Sequence, residues 1–181
     1  MKLRSEQLKK KSDEAGVSVE QLAEAVSRTG LKGENAISAV RNWMSGRDHP
    51  RARREDIERL SEVLGVLPKD VCRFTSEVRH HRGSPKKAKL IVDMIRGKSI
   101  DDALNALTFS TQRAAVNVKK ALHAAISEAE QADADQTRLF VAESRVDKSV
   151  HIKRFQPKDR GRAHPILKRT SHITVGVQER A

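Results

Sequence analysis

Side chains able to support catalysis or metal binding are few in this chain of 181 residues, and their spacing argues against those uses. The seven histidines (His49, His80, His81, His123, His151, His164 and His172) are scattered. None falls into a Cys/His or His/carboxylate spacing that would assemble a zinc site. His80 and His81 are adjacent, but neighbours on a strand point to opposite faces and do not readily share an ion. Cys72 has no histidine partner nearby in sequence, so packing suits it better than nucleophilic attack. Asp101 and Asp102 read as the acidic first turn of a helix rather than as a catalytic carboxylate pair. Gly161 sits between Arg160 and Arg162 without the pattern of a phosphate-cradling loop. No catalytic centre, metal, cofactor or small-molecule substrate is expected.

The chemistry that remains is charge. KRFQPKDRGRAHPILKRTSH, residues 153–172, carries seven cations (Lys153, Arg154, Lys158, Arg160, Arg162, Lys168 and Arg169) against one acid, Asp159. Cations this dense repel one another unless something negative lies against them. The whole chain has a formal charge of +12 and a pI near 10.2. Residues 1–72 hold 14 Lys/Arg and 12 Asp/Glu, whereas residues 73–181 hold 22 and 12, so the excess lies in the second half. A polyanion, either nucleic acid or an acidic membrane surface, is the implied partner. With four Phe, one Trp and no Tyr, base-stacking platforms are scarce, Phe155 beside Arg154 being the exception. Recognition of a folded RNA through phosphates and shape fits that composition. A single cysteine, no apolar signal segment in MKLRSEQLKKK and no run of about 20 apolar residues lead us to expect a soluble cytoplasmic protein.

The elements that must position these groups fall into two regions, with a boundary within residues 70–77. In the first, SVEQ reads as a capping box, Ser18 preceding the apolar Leu22, Ala25 and Val26. ENAISAVRNWMSG places Ile37, Val40 and Met44 on one face and ends at Gly46. REDIERLSEVLGV spaces Ile57, Leu60, Val63 and Leu64 helically, with acids at its start and Gly65 at its end. Another turn begins at Pro68. Trp43, with Val40, Leu60 and Leu64, is expected to form the core of a small helical domain rather than a contact surface.

In the second region VRHHRG suggests a short strand, and Ser84 and Pro85 an N-cap and first helical position. That helix runs to Gly97, and Ser99 caps the next. A longer helix from Thr111 carries Ala115, Val118, Leu122, Ala125 and Ala129 along one stripe. The period then shifts to two, with Leu139 and Val141 in one strand and Ile173, Val175 and Val177 in another. A long antiparallel hairpin with its tip near 157–165 joins them. Lys86, Lys87 and Lys89 occupy a helix start, where the macrodipole disfavours cations. A solvated face would tolerate this; a helix start facing phosphates would use it, and the charge excess favours the phosphates.

From about residue 78 to 179 these stretches resemble the bacterial large-subunit ribosomal protein family numbered twenty-two. The resemblance rests on SPKKAKLIVDMIRGKSIDDALNAL, on the helix ending HAAISEAE, and above all on KRFQPKDRGRAHPILKRTSHITV. It implies an α+β body, three helices on a small antiparallel sheet, from which a long β-hairpin (about 139–178) protrudes. It further implies binding to large-subunit rRNA early in assembly and contacts with neighbouring ribosomal proteins. The body would lie near the peptide exit and the hairpin would line the nascent-peptide tunnel, close to the macrolide region. Carried onto this chain, the rRNA-binding residues are Arg79, Arg82, Lys86, Lys87, Lys89, Lys119 and Lys120 on the body. Along the hairpin they are Lys153, Arg154, Lys158, Arg160, Arg162, Lys168 and Arg169. The tunnel tip comprises Pro157, Arg160, Gly161, Arg162 and Ala163.

Residues 1–72 resemble a phage-repressor (Cro-like) helix-turn-helix: VEQLAEAV matches its second helix, VRNWMSG the end of its recognition helix, and REDIERLSEVLGVLPKDV its following helices. The connection SRTGLKGEN is longer than that family's tight turn and would displace the recognition helix. The near-neutral charge of this half also argues against strong independent DNA binding. The expectation is therefore a small all-α extension (1–72) before a ribosomal domain (73–181). The rival reading is a DNA-binding transcriptional regulator acting through the helix-turn-helix.

Overall fold

In a computed structural model, which describes residues 1–26, 28 and 30–180, the chain divides into two units. One comprises Met1–Phe74 with Glu128–Ala134, the other Thr75–Ser127 with Asp135–Ala181.

The first unit holds a short strand, β1 (Lys2–Leu3), and five helices: α1 (Ser5–Ala15), α2 (Val19–Ala25), α3 (Glu34–Met44), α4 (Arg54–Leu64) and α5 (Pro68–Val71). β1 pairs antiparallel with the start of β2 (Cys72–His81), Leu3 opposite Cys72. Neither β1 nor α1 is announced by periodicity, because SEQLKKKSDEA is polar and buries only Leu8 and Ser12. The start of α2 follows expectation: the Ser18 hydroxyl accepts from the Gln21 amide at 3.3 Å, and the Gln21 side chain accepts from the Ser18 amide at 2.9 Å. Gly65 ends α4 in the left-handed conformation, φ +63°, which glycine adopts without strain.

Two apolar stripes differ from the sequence reading. On α3 the buried face is Ala36, Ala39, Val40 and Trp43, while Ile37 and Met44 are half-buried at its margins. The small alanines allow neighbouring helices to approach closely and so rotate the buried face toward them. On α4, Ile57, Leu60 and Leu64 are buried, but Val63 is 41% exposed because the stripe admits only three of the four apolar positions. Trp43 is buried, and its indole N–H donates to the Pro50 carbonyl at 2.6 Å. Ser27 and Thr29 of the SRTGLKGEN connection lie outside the described residues.

The second unit places α6 (Pro85–Ile95), α7 (Ile100–Phe109) and most of α8 (Arg113–Glu130) with an antiparallel sheet. In that sheet β6 (Ser171–Glu179) lies between β2 and β3 (Leu139–Lys148). This mixed helical and antiparallel content agrees with the α+β expectation. α6 begins with Ser84 and Pro85 as read, and Ser99 accepts from the Asp102 amide at 3.3 Å to start α7. α8 begins at Arg113, two residues later than expected, and buries the predicted alanine-rich stripe from Ala115 to Ala129. A 3₁₀ turn (Gln136–Arg138) leads into β3, where Leu139 and Val141 are buried, as are Ile173, Val175 and Val177 on β6. The linker after α6 ties helix to sheet: the Gly97 amide donates to the Val141 carbonyl, and the Val141 amide to the Lys98 carbonyl.

The expected single hairpin is two ladders in succession. β3 and β6 pair from Leu139↔Glu179 to Lys148↔Ser171, with a bulge between Val141 and Glu143. A second ladder joins β4 (Ile152–Pro157) to β5 (Ala163–Lys168). Between them the strands leave the ladder at 149–151 and 169–170, where the Ser149 amide donates to the Thr170 carbonyl at 3.2 Å. Pro157 and Pro165 do not bracket an unpaired tip. Pro165 stands opposite Phe155 and Pro157 opposite Ala163, so the turn is only 158–162. A two-stranded ribbon has an outer edge on each strand, where a missing N–H costs no ladder bond.

Candidate nucleic-acid interface

Residues standing opposite each other in an antiparallel ladder share a face, so the β4–β5 register assigns every hairpin side chain to one of two surfaces. One carries Lys153, Phe155 and Pro157 beside Leu167, Pro165 and Ala163; the other carries Ile152, Arg154 and Gln156 beside Lys168, Ile166 and His164. All of these residues are exposed except Ile166, which is half-buried. Phe155 is 78% exposed on the more apolar surface, available to stack on a planar partner. The turn closes through the Lys158 amide on the Arg162 carbonyl at 2.7 Å and the Arg162 amide on the Asp159 carbonyl at 3.1 Å. Arg160 and Gly161 adopt φ +53° and +70° there; at Gly161 the lack of a side chain removes the strain of that conformation.

The cations differ by location. On the body, Arg79 pairs with Glu77 at 3.1 Å, Arg96 with Asp93 at 2.8 Å, Arg138 with Glu179 at 3.5 Å, and Arg145 with both Glu143 and Asp147. On the hairpin, among the described residues, none of Lys153, Arg154, Lys158, Arg160, Arg162, Lys168 and Arg169 pairs with a carboxylate. Arg154 donates only to the neighbouring Lys153 carbonyl. Seven uncompensated cations on a thin ribbon repel one another, and their free energy falls when a polyanion takes the place of the missing carboxylates.

Of the expected body residues, Lys86, Lys87 and Lys89 are exposed at the start of α6 and have no ion-pair partner among the described residues. Arg82 and Lys120 are also exposed. Lys119 is half-buried and donates to the Thr108 hydroxyl at 3.0 Å. Arg79 is exposed, with Glu77 offsetting part of its charge. The sequence reading did not select Arg113, which lies at the start of α8 beside the α6 start. Its signal in the sequence is its place two residues after Thr111, in the first turn of the expected helix.

His80 and His172 meet edge to face with centroids 4.8 Å apart, and His80 Nδ1 lies 2.9 Å from the Ser149 hydroxyl at the end of the β3–β6 ladder. Among the described residues no group of three or more His, Cys, Asp or Glu is placed to hold a metal ion. Burial raises the Cys72 thiol to about 12, so at neutral pH it carries no nucleophilic thiolate. No helix among the described residues is long and apolar enough to cross a membrane.

Residues 76–178, more than half of the chain, match the family model described as ribosomal protein L22p/L17e. The match covers β2 from Ser76, the three helices of the second unit and both ladders up to Gln178, and leaves the five helices of the first unit outside it. The chain therefore belongs to the ribosomal protein L22p/L17e family, and is a structural, rRNA-binding constituent of the large ribosomal subunit rather than an enzyme.

Proposed function

We propose that the β4–β5 hairpin lies within ribosomal RNA and that its tip, Pro157, Arg160, Gly161, Arg162 and Ala163, lines the nascent-peptide exit tunnel. The observation that carries this reading is the run of seven hairpin cations with no carboxylate partner among the described residues, on a ribbon exposed on both faces. Six residues per strand at about 3.3 Å each give this ladder a length of about 20 Å. A ribbon of that size presents phosphate-binding side chains on both faces without adding bulk. Arg79, Arg82, Lys86, Lys87, Lys89, Lys119 and Lys120 anchor the body on the same RNA, which suits a protein that joins the subunit early in assembly. The first unit is an added module that meets RNA, a neighbouring ribosomal protein or a factor at the exit.

Because Cys72 is buried, an Arg160→Cys variant carries one reactive thiol at the turn. Placed in ribosomes with stalled nascent chains of graded length, that thiol is expected to cross-link to the nascent chain at a defined length. Cross-links to rRNA alone at every length, with the chain present on the subunit, would remove the tunnel assignment.

A further inference from the structure

The end of β2, the start of α6 and the start of α8 together line a cavity of about 520 Å³. That volume lies within the roughly 300–1,000 Å³ typical of small-ligand pockets. Its charged lining consists of Arg82, Lys87 and Arg113, with no carboxylate among the lining residues. Two helix starts border it, and neither α6 nor α8 has an acid in its first turn. The free N–H groups and positive dipole ends of both helices therefore reinforce the three cations.

His81 supplies an independent observation. It lines the cavity, is only 6% exposed, and its Nδ1 lies 2.6 Å from the Asn117 side-chain nitrogen. Asn117 donates that bond, so Nδ1 is the acceptor and the ring proton resides on Nε2. Burial, and then the Arg113 charge, lower the His81 pKa and keep the ring neutral at physiological pH. Among the described residues Nε2 has no hydrogen-bond partner. It faces Gly83, where an added Cβ would come within 2.6 Å of it. That N–H is open to solvent at the cavity wall, so a ligand's acceptor can reach it. On the remaining side the wall is apolar: Ala88, Ala114 and Leu90, the last 64% exposed.

We propose that this cavity takes one nucleotide of ribosomal RNA turned out of its stack. Its phosphate sits at the two helix starts among Arg82, Lys87 and Arg113, an acceptor meets His81 Nε2, and the base or ribose lies against Leu90 and Ala114. An anion alone would account for the cations but not for the apolar wall. A looped-out nucleotide, with a charged backbone and a flat, weakly polar base, accounts for both. The inference rests on the ribosomal placement and adds to it a specific seat on the body, away from the hairpin.

The test is 2′-hydroxyl reactivity mapping of rRNA in purified large subunits that carry the full-length chain, either unsubstituted or as Arg113→Gln or Leu90→Ala. Both side chains are at the surface of their helices, and the amount of protein per subunit reports whether each variant still folds and assembles. Both variants are expected to raise reactivity at the same one or two adjacent nucleotides while the chain stays bound. In isolated RNA-fragment binding, Arg113→Gln is expected to weaken affinity roughly tenfold and to lower the salt slope by about one. A bound chain with no local change in either variant would overturn the cavity assignment. A change in Arg113→Gln only would show that phosphate is held without a seated base, and would overturn the nucleotide. Absence of the unsubstituted chain from the subunits would instead overturn the ribosomal placement beneath both.

Discussion

Asp56 on α4 lies 3.2 Å from the Arg28 guanidinium and also accepts the Arg53 amide at 2.8 Å, fully buried in both roles. One carboxylate thereby joins the segment before α3 to the start of α4. Removing it leaves Arg28, itself largely buried, without its counter-charge. Asp56→Ala is expected to destabilise the first unit by about 3 kcal/mol. Trp43 is the only tryptophan in the sequence and belongs to that unit, so its fluorescence reports the unit's unfolding. The exposed Arg54–Glu58 pair is the control: Arg54→Ala is expected to leave the denaturant midpoint within scatter of the parent. Equal effects from the two substitutions would mean that burial of the Arg28–Asp56 pair is energetically irrelevant.

Cys72 is fully buried, and burial pushes its thiol up to about 12. A protonated, enclosed sulfur neither attacks nor is reached. In the folded chain at pH 8, iodoacetamide labelling is expected to be negligible over the time in which the denatured chain labels completely. Comparable rates in the two states would contradict the packing of β1 against the start of β2.

His81 gives the second unit a pH dependence. Its folded pKa lies below the usual histidine value of about 6.5, so on acidification the unfolded chain takes up a proton that the folded chain resists. The stability it contributes is present above about pH 6.5 and is lost as pH falls toward the folded pKa. Chemical denaturation of the full chain between about pH 7 and pH 5 is expected to show a falling midpoint, with a weaker slope in His81→Gln. An unchanged slope in the variant would assign the titration to other groups.

At the turn, Arg160 and Arg162 are exposed and have no ion-pair partner among the described residues. Deleting residues 160–162 is expected to leave incorporation into the large subunit largely intact while changing macrolide sensitivity, as scored by sedimentation and by growth with the drug. Loss of incorporation would mean that the tip, rather than the body, supplies the essential binding energy.

Local rules were legible where one short segment contains the whole physics. The Ser18–Gln21 capping box, the Ser99 cap, Gly65 at the end of α4 and the apolar stripe of α8 all follow from neighbours three to seven residues apart. So do the alternating burial at the start of β3 and the density of charge on the hairpin, whereas β6, between two other strands, is buried without a break from Ile173 to Val177. The helix α1 escaped because its stripe is nearly absent: Leu8 is its only large buried side chain, and its register comes from packing rather than from pattern.

By itself, then, the sequence determined a basic chain with a charged ribbon between two buried strands, because charge and periodicity are local sums over neighbouring residues. Tertiary structure decided which of those charges are compensated. Glu77 meets Arg79, and Asp147 with Glu143 meets Arg145, while the hairpin cations meet no acid among the described residues. It also decided that Asp56 is buried on Arg28, that His81 meets Asn117 thirty-six positions away, and that two helix starts face one cavity. Those relationships join residues far apart in the chain, and the energies that set them, desolvation and hydrogen bonding across elements, exist only once the elements have packed.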